Sequence, residues 1–196
     1  MSADTKEALL DAAESLLLER GFAGTSLRSI AEKADVNLAA TNYHFGSKQG
    51  LLEALVHRRV RPINEARLEN LGRLEATGET LEVEEILFAF LEPLSEGTTM
   101  NLAALIERIF KEPPAVTKAL LEKEFGEVIA RFAAALAKVV PELSHDELHW
   151  RLHFLVGGML QTLKMENPIG SSGNADFCKY QQLIRFASAG FRAAPS

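Results

Sequence analysis

The sequence predicts an all-α protein with a small N-terminal helix-turn-helix domain and a larger helical domain, in all about nine helices. Three observations lead to this prediction. Apolar residues recur at intervals of three and four along nearly the whole chain, and no segment shows convincing strand alternation. Glycine, proline or a capping residue stands where the apolar pattern breaks, as helix ends require.

Composition places the chain among globular proteins. Its 196 residues are 47% apolar with a net charge of −6, and its longest apolar run, near Phe154, is far too short to cross a bilayer. The N-terminus has no basic segment followed by an apolar one, so we expect no secretory signal, no membrane partner and a cytoplasmic location. Cys178, the single cysteine, cannot form an internal disulfide, and we expect a small packed hydrophobe there.

Two helices are predicted before the first short turn. The first runs from about Thr5 to Arg20, and Gly21 is its expected stop. Thr25 or Ser26 caps a second, shorter helix that continues through residue 34. Both helices show a stripe of apolar residues that we expect to be buried: Leu9, Ala12, Ala13, Leu16 and Leu17 in the first, and Leu27, Ile30 and Ala31 in the second.

A third helix follows directly. Asn37 caps it, it runs from Leu38 to about Phe45, and Gly46 ends it before Ser47 caps a fourth helix. Three short helices with a tight turn between the second and the third fit a helix-turn-helix, whose later helix enters the major groove of DNA.

The third helix is polar and aromatic on one side. We expect Val36 and Leu38 to hold it against the core. The candidates for its exposed side are then Ala39, Ala40, Asn42, Tyr43 and His44. Alanine permits close approach and can touch a thymine methyl, asparagine can pair with an adenine edge, and tyrosine and histidine can donate to phosphates or bases.

Basic residues concentrate around this helix although the whole chain is acidic. Between Thr25 and Arg61 the basic side chains outnumber the acidic ones, which we expect to mark a positive face. Lys48 opens the fourth helix, where free amide N–H groups already favour a phosphate, and Arg28 is placed to reach a guanine or the backbone. The alternative is an ordinary packed triplet of helices with a solvated polar face.

The segment TSLRSIAEKADVNLAATNYHFGSKQGLLEAL resembles the DNA-binding domain of the TetR family of bacterial transcriptional regulators, in which a helix-turn-helix ends in a YYHF…K pattern. The resemblance covers about the first quarter of the chain. It implies DNA-contacting roles for Asn42, Tyr43 and His44 on the recognition helix, for Lys48 on a phosphate, and for Thr25, Ser26 and Arg28 at the start of the helix that crosses the backbone. The first aromatic of the family pattern is Asn42 here, which puts a family-average operator in doubt.

The remainder is predicted to be a sensing and dimerisation domain. Residues 1–46 form the DNA-binding domain, residues 47–196 form the second domain, and a helix at 47–72 connects them. Three apolar stripes at helical spacing predict the core of the second domain: Val83, Ile86, Leu87, Phe90, Leu91 and Leu94; Leu102, Leu105, Ile106, Ile109 and Phe110; and Val116, Leu120, Leu121, Phe125, Val128, Ile129, Phe132, Leu136 and Val139.

The helix that follows Ser144 is apolar on two sides, so it must be buried twice. We expect its second side and the final helix to form a four-helix interface in a homodimer with two-fold symmetry. The candidate interface residues are Trp150, Phe154, Gly157, Gly158, Tyr180, Ile184 and Phe191. A dimer can set two recognition helices about 34 Å apart, one for each half of a palindrome. The alternative is the central core helix of a monomer.

Large apolar residues in the middle helices could leave a lined cavity for an apolar effector, or they could simply fill the core. The candidate ligand-binding residues are Phe88, Leu91, Leu105, Arg108, Ile109, Phe125, Ile129 and Arg151. VNLAATNYHFGSK together with LHWRLHF resembles the PsrA-like subgroup of the family, which responds to long-chain fatty acids. That resemblance implies an acyl ligand whose head group would want a cation, for which Arg151 and Arg108 are the candidates.

The predicted function is a ligand-responsive DNA-binding transcriptional regulator, a repressor that a small apolar effector such as a fatty acid or acyl-CoA releases from a palindromic operator. We expect no enzyme and no cofactor, because the sequence has no phosphate loop, no G-x-S-x-G elbow and no placed Cys/His pair. The alternative is a helical small-molecule-binding protein or an enzyme that uses the C-terminal pocket. His145, His149 and His153 have metal-ligand spacing, but without an evident fourth ligand we expect a solvated or hydrogen-bonded edge.

Overall fold

The fold is taken from a computed structural model, which describes residues 3–21, 23–94, 100–110, 114–164 and 178–195. For the following residues it describes the backbone alone: Ala3, Met100, Asn101, Arg108, Ala115 and Val116. The regular elements in these ranges are α-helices and one short 3₁₀ segment, which confirms the all-α prediction. None of these helices combines the length and the apolar character that a bilayer crossing needs.

Four helices make up the N-terminal part of the chain. They are α1 (Ala3–Arg20), α2 (Leu27–Lys33), α3 (Leu38–Phe45) and α4 (Lys48–Ala76). The predicted bounds of α3 are confirmed, and α1 begins slightly before its predicted start. The connecting helix α4 ends at Ala76 instead of the predicted residue 72, and it continues through Pro62.

The other helices described are α5 (Val83–Leu91), α6 (Met100–Ile109), α7 (Pro114–Val139), α8 (His145–Lys164) and α9 (Lys179–Arg192), with a 3₁₀ turn at Glu92–Leu94 after α5. The start of α8 is the predicted one, because the Ser144 hydroxyl accepts the backbone N–H of Glu147 at 3.3 Å.

The chain separates into two compact units. Unit 1 comprises Met1–Pro62 and Ala104–Glu124, and unit 2 comprises Ile63–Ala103 and Phe125–Ser196. The helices α4, α6 and α7 each contribute to both. The predicted boundary between a DNA-binding domain and a sensing domain after Gly46 differs from the boundaries of these two units. That functional division stays a prediction.

Unit 1 is built on the buried side of α1, and its predicted stripe of Leu9, Ala12, Ala13, Leu16 and Leu17 is confirmed. Ile30 and Ala31 of α2 are buried as predicted, whereas Leu27 is only half-buried. Phe110 was expected in the core and is more than half exposed. Phe110 directly follows the last residue of α6 and still donates its N–H to the carbonyl of Ile106 at 3.1 Å, so it lies at the end of the helix with its ring outward.

A buried carboxylate joins α1 to α4 within unit 1. Glu14 is buried, and it accepts hydrogen bonds from Arg58 Nη2 at 3.0 Å and from Arg59 Nε at 2.9 Å. Arg58 also donates to Glu7 at 3.0 Å and to Asp11 at 2.8 Å. Partial burial alone would lower the pKa of Arg58, but these hydrogen bonds and charges raise it above its ordinary value.

This network corrects the expectation that the basic residues between Thr25 and Arg61 form one positive face. Arg58 and Arg59 neutralise carboxylates of α1, so their charge is balanced inside unit 1. The net positive charge near α3 is therefore smaller than the sequence suggests.

Unit 2 contains the predicted stripe of α5, and all six residues of that stripe are buried: Val83, Ile86, Leu87, Phe90, Leu91 and Leu94. Phe90 meets the ring of Phe132 edge to face with the centroids 5.1 Å apart. The α8 helix has the two apolar sides that were predicted. One is buried within the chain through Leu148, Leu152, Leu155, Met159 and Leu163.

Cys178 was expected to be packed, and this is wrong. It is exposed at the position that precedes the first residue of α9. A residue at this position lies before the first buried turn of the helix, so the helical period does not bring it inward.

Candidate nucleic-acid interface

The start of α2 is fixed by two serines. The Ser26 hydroxyl accepts the N–H of Ser29 at 3.0 Å, and the Ser29 hydroxyl accepts the N–H of Ser26 at 3.0 Å. This reciprocal capping satisfies two donors that the helix itself leaves open. Ser26 is exposed, but its hydroxyl already serves the helix.

Thr25 does not fit the predicted role as a DNA contact. It is 3% exposed, and its hydroxyl donates to the carbonyl of Gly21 at 2.7 Å. A buried hydroxyl with an acceptor at this distance has no group left for a phosphate. Thr25 instead ties the end of α1 to the start of α2.

The turn between α2 and α3 depends on a residue in the left-handed region. Asp35 has φ of 54°, which aspartate tolerates better than most residues, and Val36 donates its N–H to Ala31 at 2.9 Å. The Asn37 side chain then accepts the N–H of Ala39 at 2.9 Å and caps α3, as predicted.

The inward side of α3 is formed by Ala40, Thr41 and Phe45. The prediction that Val36 and Leu38 hold the helix is wrong, because Leu38 is exposed and Val36 is only half-buried. Residues four apart in a helix lie on one face, so Thr41 and Phe45 define the centre of the buried side.

The outward side of α3 consists of Ala39, Asn42 and Tyr43, all exposed as predicted, with Tyr43 at 75%. Ala40 was expected beside them but is 6% exposed, because it lies next to Thr41 on the inward side. It therefore cannot touch a thymine methyl. Of the predicted outward residues, the Ala39 methyl, the Asn42 amide and the Tyr43 phenol are therefore the exposed groups of this two-turn helix.

His44 lies at the border between the two sides. Its ring is half-buried, and its Nε2 is enclosed without a recorded hydrogen-bond partner. The ring contacts Tyr43 with the centroids 5.4 Å apart and Phe45 with the centroids 6.0 Å apart. Because Nε2 is enclosed, it is not available to a phosphate, which corrects the predicted DNA contact through this atom.

The start of α4 lies close to the end of α3. Gly46 has φ of 66° and ends α3, and the Ser47 hydroxyl accepts the N–H of Gly50 at 3.0 Å. Lys48 is the first residue of α4 and is half-buried. Arg28 at the first turn of α2 is exposed and contacts Glu32 through Nε at 3.1 Å, a surface pair of the kind that contributes little to stability.

The predicted dimer-interface residues fall into three groups by exposure. Trp150, Phe154 and Gly157 lie on the exposed side of α8, while Gly158 and Tyr180 are half-buried. Ile184 and Phe191 are buried within the chain, so they have almost no surface for a second copy, and this corrects their assignment.

Phe186 of α9 is 79% exposed, and it was not among the predicted interface residues. Its position two residues after Ile184 places it on the opposite side of the helix. A phenylalanine off the main apolar stripe was the signal that could have identified it.

The predicted ligand-binding residues differ in burial. Those buried are Leu91 in unit 2 and Leu105 and Ile109 in unit 1, while Phe125 and Ile129 of unit 2 are half-buried. Phe88 is 56% exposed, so it does not line an interior cavity. The reason is that Leu87 and Phe90, its neighbours on α5, set the buried side. The Arg108 side chain lies outside the described residues.

Arg151 was predicted to hold an effector head group, and its contacts contradict this role. Its Nη1 donates to the carbonyls of Gly190 at 2.7 Å and of Ala193 at 2.8 Å, and its Nη2 donates to Glu147 at 2.7 Å. Carbonyls at the end of a helix lack partners within the helix and carry partial negative charge. The Arg151 guanidinium is thus occupied by the end of α9.

The histidines of α8 behave as a hydrogen-bonded edge. The rings of His145 and His149 lie with their centroids 4.1 Å apart, and His149 Nδ1 donates to the carbonyl of His145 at 2.8 Å. In the described ranges, no group of three or more histidine, cysteine, aspartate and glutamate side chains is placed to hold a metal ion.

Two family models match the chain. One, described as bacterial regulatory proteins of the tetR family, matches residues 9–55. The other, described as the tetracyclin repressor-like C-terminal domain, matches residues 89–190, just over half of the 196 residues. The chain belongs to the TetR family of bacterial regulators. The two models match the helix-turn-helix and the C-terminal helices of this TetR-family chain separately.

The chain is also similar to individual regulators and to solved structures. The probable HTH-type transcriptional regulator YttP of Bacillus subtilis (strain 168) is 46% identical over 56 residues, which are 29% of this chain and 27% of that protein. A tetR-family transcription regulator structure from Shewanella sp. PV-4 covers 95% of both chains at 19% identity with a TM-score of 0.67. SmeT, solved as a complex with triclosan, covers 95% of this chain and 90% of that chain at 22% identity with a TM-score of 0.67. The two structures show a shared fold, and the sequence likeness to YttP spans only about a quarter of its length.

The contact between α3 and α4 predicts opposite effects of one substitution at two glycines of α4. A Cβ on Gly50 would lie 2.2 Å from the Phe45 carbonyl oxygen, whereas a Cβ on Gly72 would have nothing within 4 Å. Gly50→Ala should lower the free energy of unfolding by about 1–3 kcal/mol, because backbone must move to remove the clash. Gly72→Ala is the matched control, and it should gain about 0.5–1 kcal/mol of helix propensity. Urea denaturation measures both. Equal stability of the two variants would refute the close approach.

Proposed function

We propose that this protein is a ligand-responsive DNA-binding transcriptional regulator that uses α3 as its recognition helix. The observation that supports this most directly is the outward side of α3, where Asn42 and Tyr43 are exposed while Thr41 and Phe45 on either side of them in sequence are buried. A short helix that follows a tight turn and presents polar and aromatic groups outward is suited to the major groove of DNA.

Each exposed group of this face has a chemical counterpart on DNA. The Asn42 amide can form a bidentate pair with adenine. In this pair its oxygen accepts from N6 and its nitrogen donates to N7. The Ala39 methyl group fits a thymine methyl, and the Tyr43 phenol can donate to a phosphate. Because the TetR pattern has an aromatic residue at the position of Asn42, the preferred operator should differ from those of members that keep that aromatic residue.

Two basic residues complete the face with phosphate contacts. Lys48 is at the N-terminus of α4, where the helix dipole and open N–H groups add to its charge. Arg28 stands in the first turn of α2, and its surface pair with Glu32 is weak enough to exchange for a phosphate. These contacts set the register of α3 on the duplex, while Asn42 supplies base preference.

The proposed assembly is a homodimer that binds both halves of a palindromic operator. The exposed aromatics of α8 and α9 are the support for this proposal, because Trp150, Phe154 and Phe186 present large apolar surface to solvent in the single chain. Exposed apolar patches of this kind mark protein interfaces. Gly157 leaves open space on the exposed side of α8, where a partner helix would approach, whereas Gly158 faces Leu183 of α9 within the chain.

The effector is proposed to be a small apolar molecule that favours a second arrangement of the dimer, in which the recognition helices no longer fit successive grooves. A ligand shifts such an equilibrium only by binding one state more tightly than the other. We take release from the operator, and hence repression, as the proposed mode. The structure of SmeT with triclosan supports the idea that this fold accommodates a small apolar molecule. The PsrA-like motif suggests a fatty acid or acyl-CoA.

The proposed DNA face predicts separate effects for a phosphate contact and a base contact. Lys48→Ala should weaken binding to all DNA sequences and reduce the salt slope by about 1, because it removes one phosphate contact. Asn42→Ala should cost about 1–3 kcal/mol at particular base pairs and relax the preference there. Fluorescence anisotropy on operator and random duplexes at several salt concentrations measures both. Lys138→Ala, on an exposed residue of unit 2, is the matched control and should leave both affinities unchanged. Equal losses on both duplexes for the Lys48 and Asn42 variants would contradict the roles.

The proposed interface predicts that one exposed aromatic controls association. Phe154→Glu should convert the dimer to a monomer, since it would place a carboxylate in each copy of a desolvated contact. Phe88→Glu is the matched control, because Phe88 is also more than half exposed but lies on α5. Sedimentation velocity distinguishes the two. A dimer that survives the Phe154 change, or one that the Phe88 change also dissociates, would place the interface elsewhere.

The acyl proposal predicts that oleate or its coenzyme A ester raises the melting temperature and releases the protein from its operator. Each buried methylene should contribute on the order of 0.8 kcal/mol, so oleate should act at lower concentration than a shorter saturated acid. Thermal denaturation and anisotropy with labelled operator are the measurements. If neither oleate nor the ester changes either signal, acyl effectors are eliminated while the DNA-binding proposal stands.

A further inference from the structure

Arg67 is a cation hidden inside unit 2. It belongs to the part of α4 that lies in this unit, it is 2% exposed, and it is among the largest fully buried side chains of the chain. Its burial was not predicted from the sequence, since arginine in the middle of a long helix is usually exposed.

The contacts of Arg67 are all with uncharged groups. Its Nε donates to the carbonyl of Phe90 at 2.8 Å, its Nη1 donates to Asn64 Oδ1 at 3.2 Å, and its Nη2 lies 3.3 Å from Met159 Sδ. The guanidinium carbon also stands 4.0 Å from the centroid of the Phe90 ring. A thioether is a weak acceptor, so one side of the guanidinium is poorly satisfied.

Two other arginines of unit 2 show the usual carboxylate pairing. Arg131 pairs with Glu75 at 2.6 Å, and Arg151 pairs with Glu147 at 2.7 Å. Among the residues that the structure describes, no carboxylate forms an ion pair with Arg67. Within the described part of unit 2, Arg67 is therefore a buried cation that has no negatively charged partner.

An unbalanced buried cation is unfavourable, and proteins usually pair such groups. Burial lowers the pKa of Arg67 to about 9, so the guanidinium is still protonated at neutral pH. The carbonyl of Phe90 belongs to the last turn of α5, and the partial negative charge there offsets some of the penalty. A guanidinium has five N–H groups, and three of them are used in the recorded bonds.

We propose that Arg67 binds the carboxylate of an apolar effector inside unit 2. The planar guanidinium matches a carboxylate in a bidentate pair, and one positive charge balances one carboxylate, whereas a phosphate dianion would leave excess negative charge buried. The groups around Arg67 fit the remainder of such a ligand, because Phe90 offers an aromatic face and Met159 is a flexible side chain that adapts its shape.

This inference rests on the proposed function, since it assigns the effector site of the same regulator. It also gives the effector a direct connection to the DNA-binding part of the chain. Arg67 and Lys48 belong to one continuous helix, α4. A ligand that pairs with Arg67 would act on that helix without an intermediate element.

The competing explanation is that Arg67 only caps α5 through the carbonyl of Phe90. A cap stabilises the folded chain but does not discriminate between ligands by charge. The two explanations therefore differ in how the full-length protein responds to matched acids and alcohols.

The test uses two pairs of probes with the same apolar part: octanoate against octan-1-ol, and 2-naphthoate against 2-naphthol. Binding to the full chain is measured by isothermal titration calorimetry and by the shift in melting temperature. In the unmodified protein at least one carboxylate should bind more tightly than its alcohol. Because no variant is needed for this comparison, it does not depend on whether a substituted protein folds. If each alcohol binds as well as its acid, or if neither acid binds, the proposal is overturned.

Arg67→Met and Arg73→Met form the matched pair of variants. Both change an arginine of α4, but Arg73 is exposed and pairs with Glu69. Arg67→Met should weaken the carboxylate on the order of 100-fold and leave the affinity for the alcohol nearly unchanged, as expected for loss of a buried charge partner. Arg73→Met should alter neither. Equal carboxylate affinity in the two variants would assign Arg67 to the capping role.

DNA binding measured on the same samples separates this inference from the proposed function. If the unmodified protein binds no DNA, the regulator proposal fails whatever the acids do. If it binds DNA but does not distinguish acids from alcohols, only the role of Arg67 fails.

Discussion

The candidate DNA face depends on one constraint, which is that a helix of two turns can bury only one narrow side. Thr41 and Phe45 lie at the centre of that side in α3, and Ala40 flanks them. Successive residues turn by about 100° around a helix, so burial of these three forces Asn42 and Tyr43 to the surface. The cap by Asn37 and the close approach of Gly50 to Phe45 then fix where the helix begins and what it leads into.

Electrostatics in unit 1 serve two separate purposes. The carboxylates of α1 are used for stability, because Glu7, Asp11 and Glu14 together balance Arg58 and Arg59 in a partly desolvated network. In the proposed DNA interface, the positive charge is concentrated at the starts of α2 and α4, where helix dipoles add to it. A small number of well-placed phosphate contacts suits a chain of net charge −6, which repels nucleic acid at long range.

Two arginines of unit 2 differ in how far their surroundings balance the charge of the guanidinium. Arg151 is surrounded by carbonyls of the α9 terminus and by Glu147, so its charge is fully used in the structure. Arg67 is buried among a carbonyl, an amide and a thioether, so its charge is not. If Arg67 and not Arg151 binds the effector, as proposed, the effector acts on α4, the helix that also carries Lys48.

The sequence by itself determined the helices, their caps and the buried stripes of α1 and α5, because capping and a period of 3.6 residues are local properties of the chain. It also indicated the family through the motif that ends at Lys48. Only the tertiary structure decided that Ala40 is buried, that Arg58 is neutralised by α1, and that Arg67 is enclosed. Each of these depends on which distant segment packs against a helix face, and a periodic pattern specifies that a face is buried without specifying its partner.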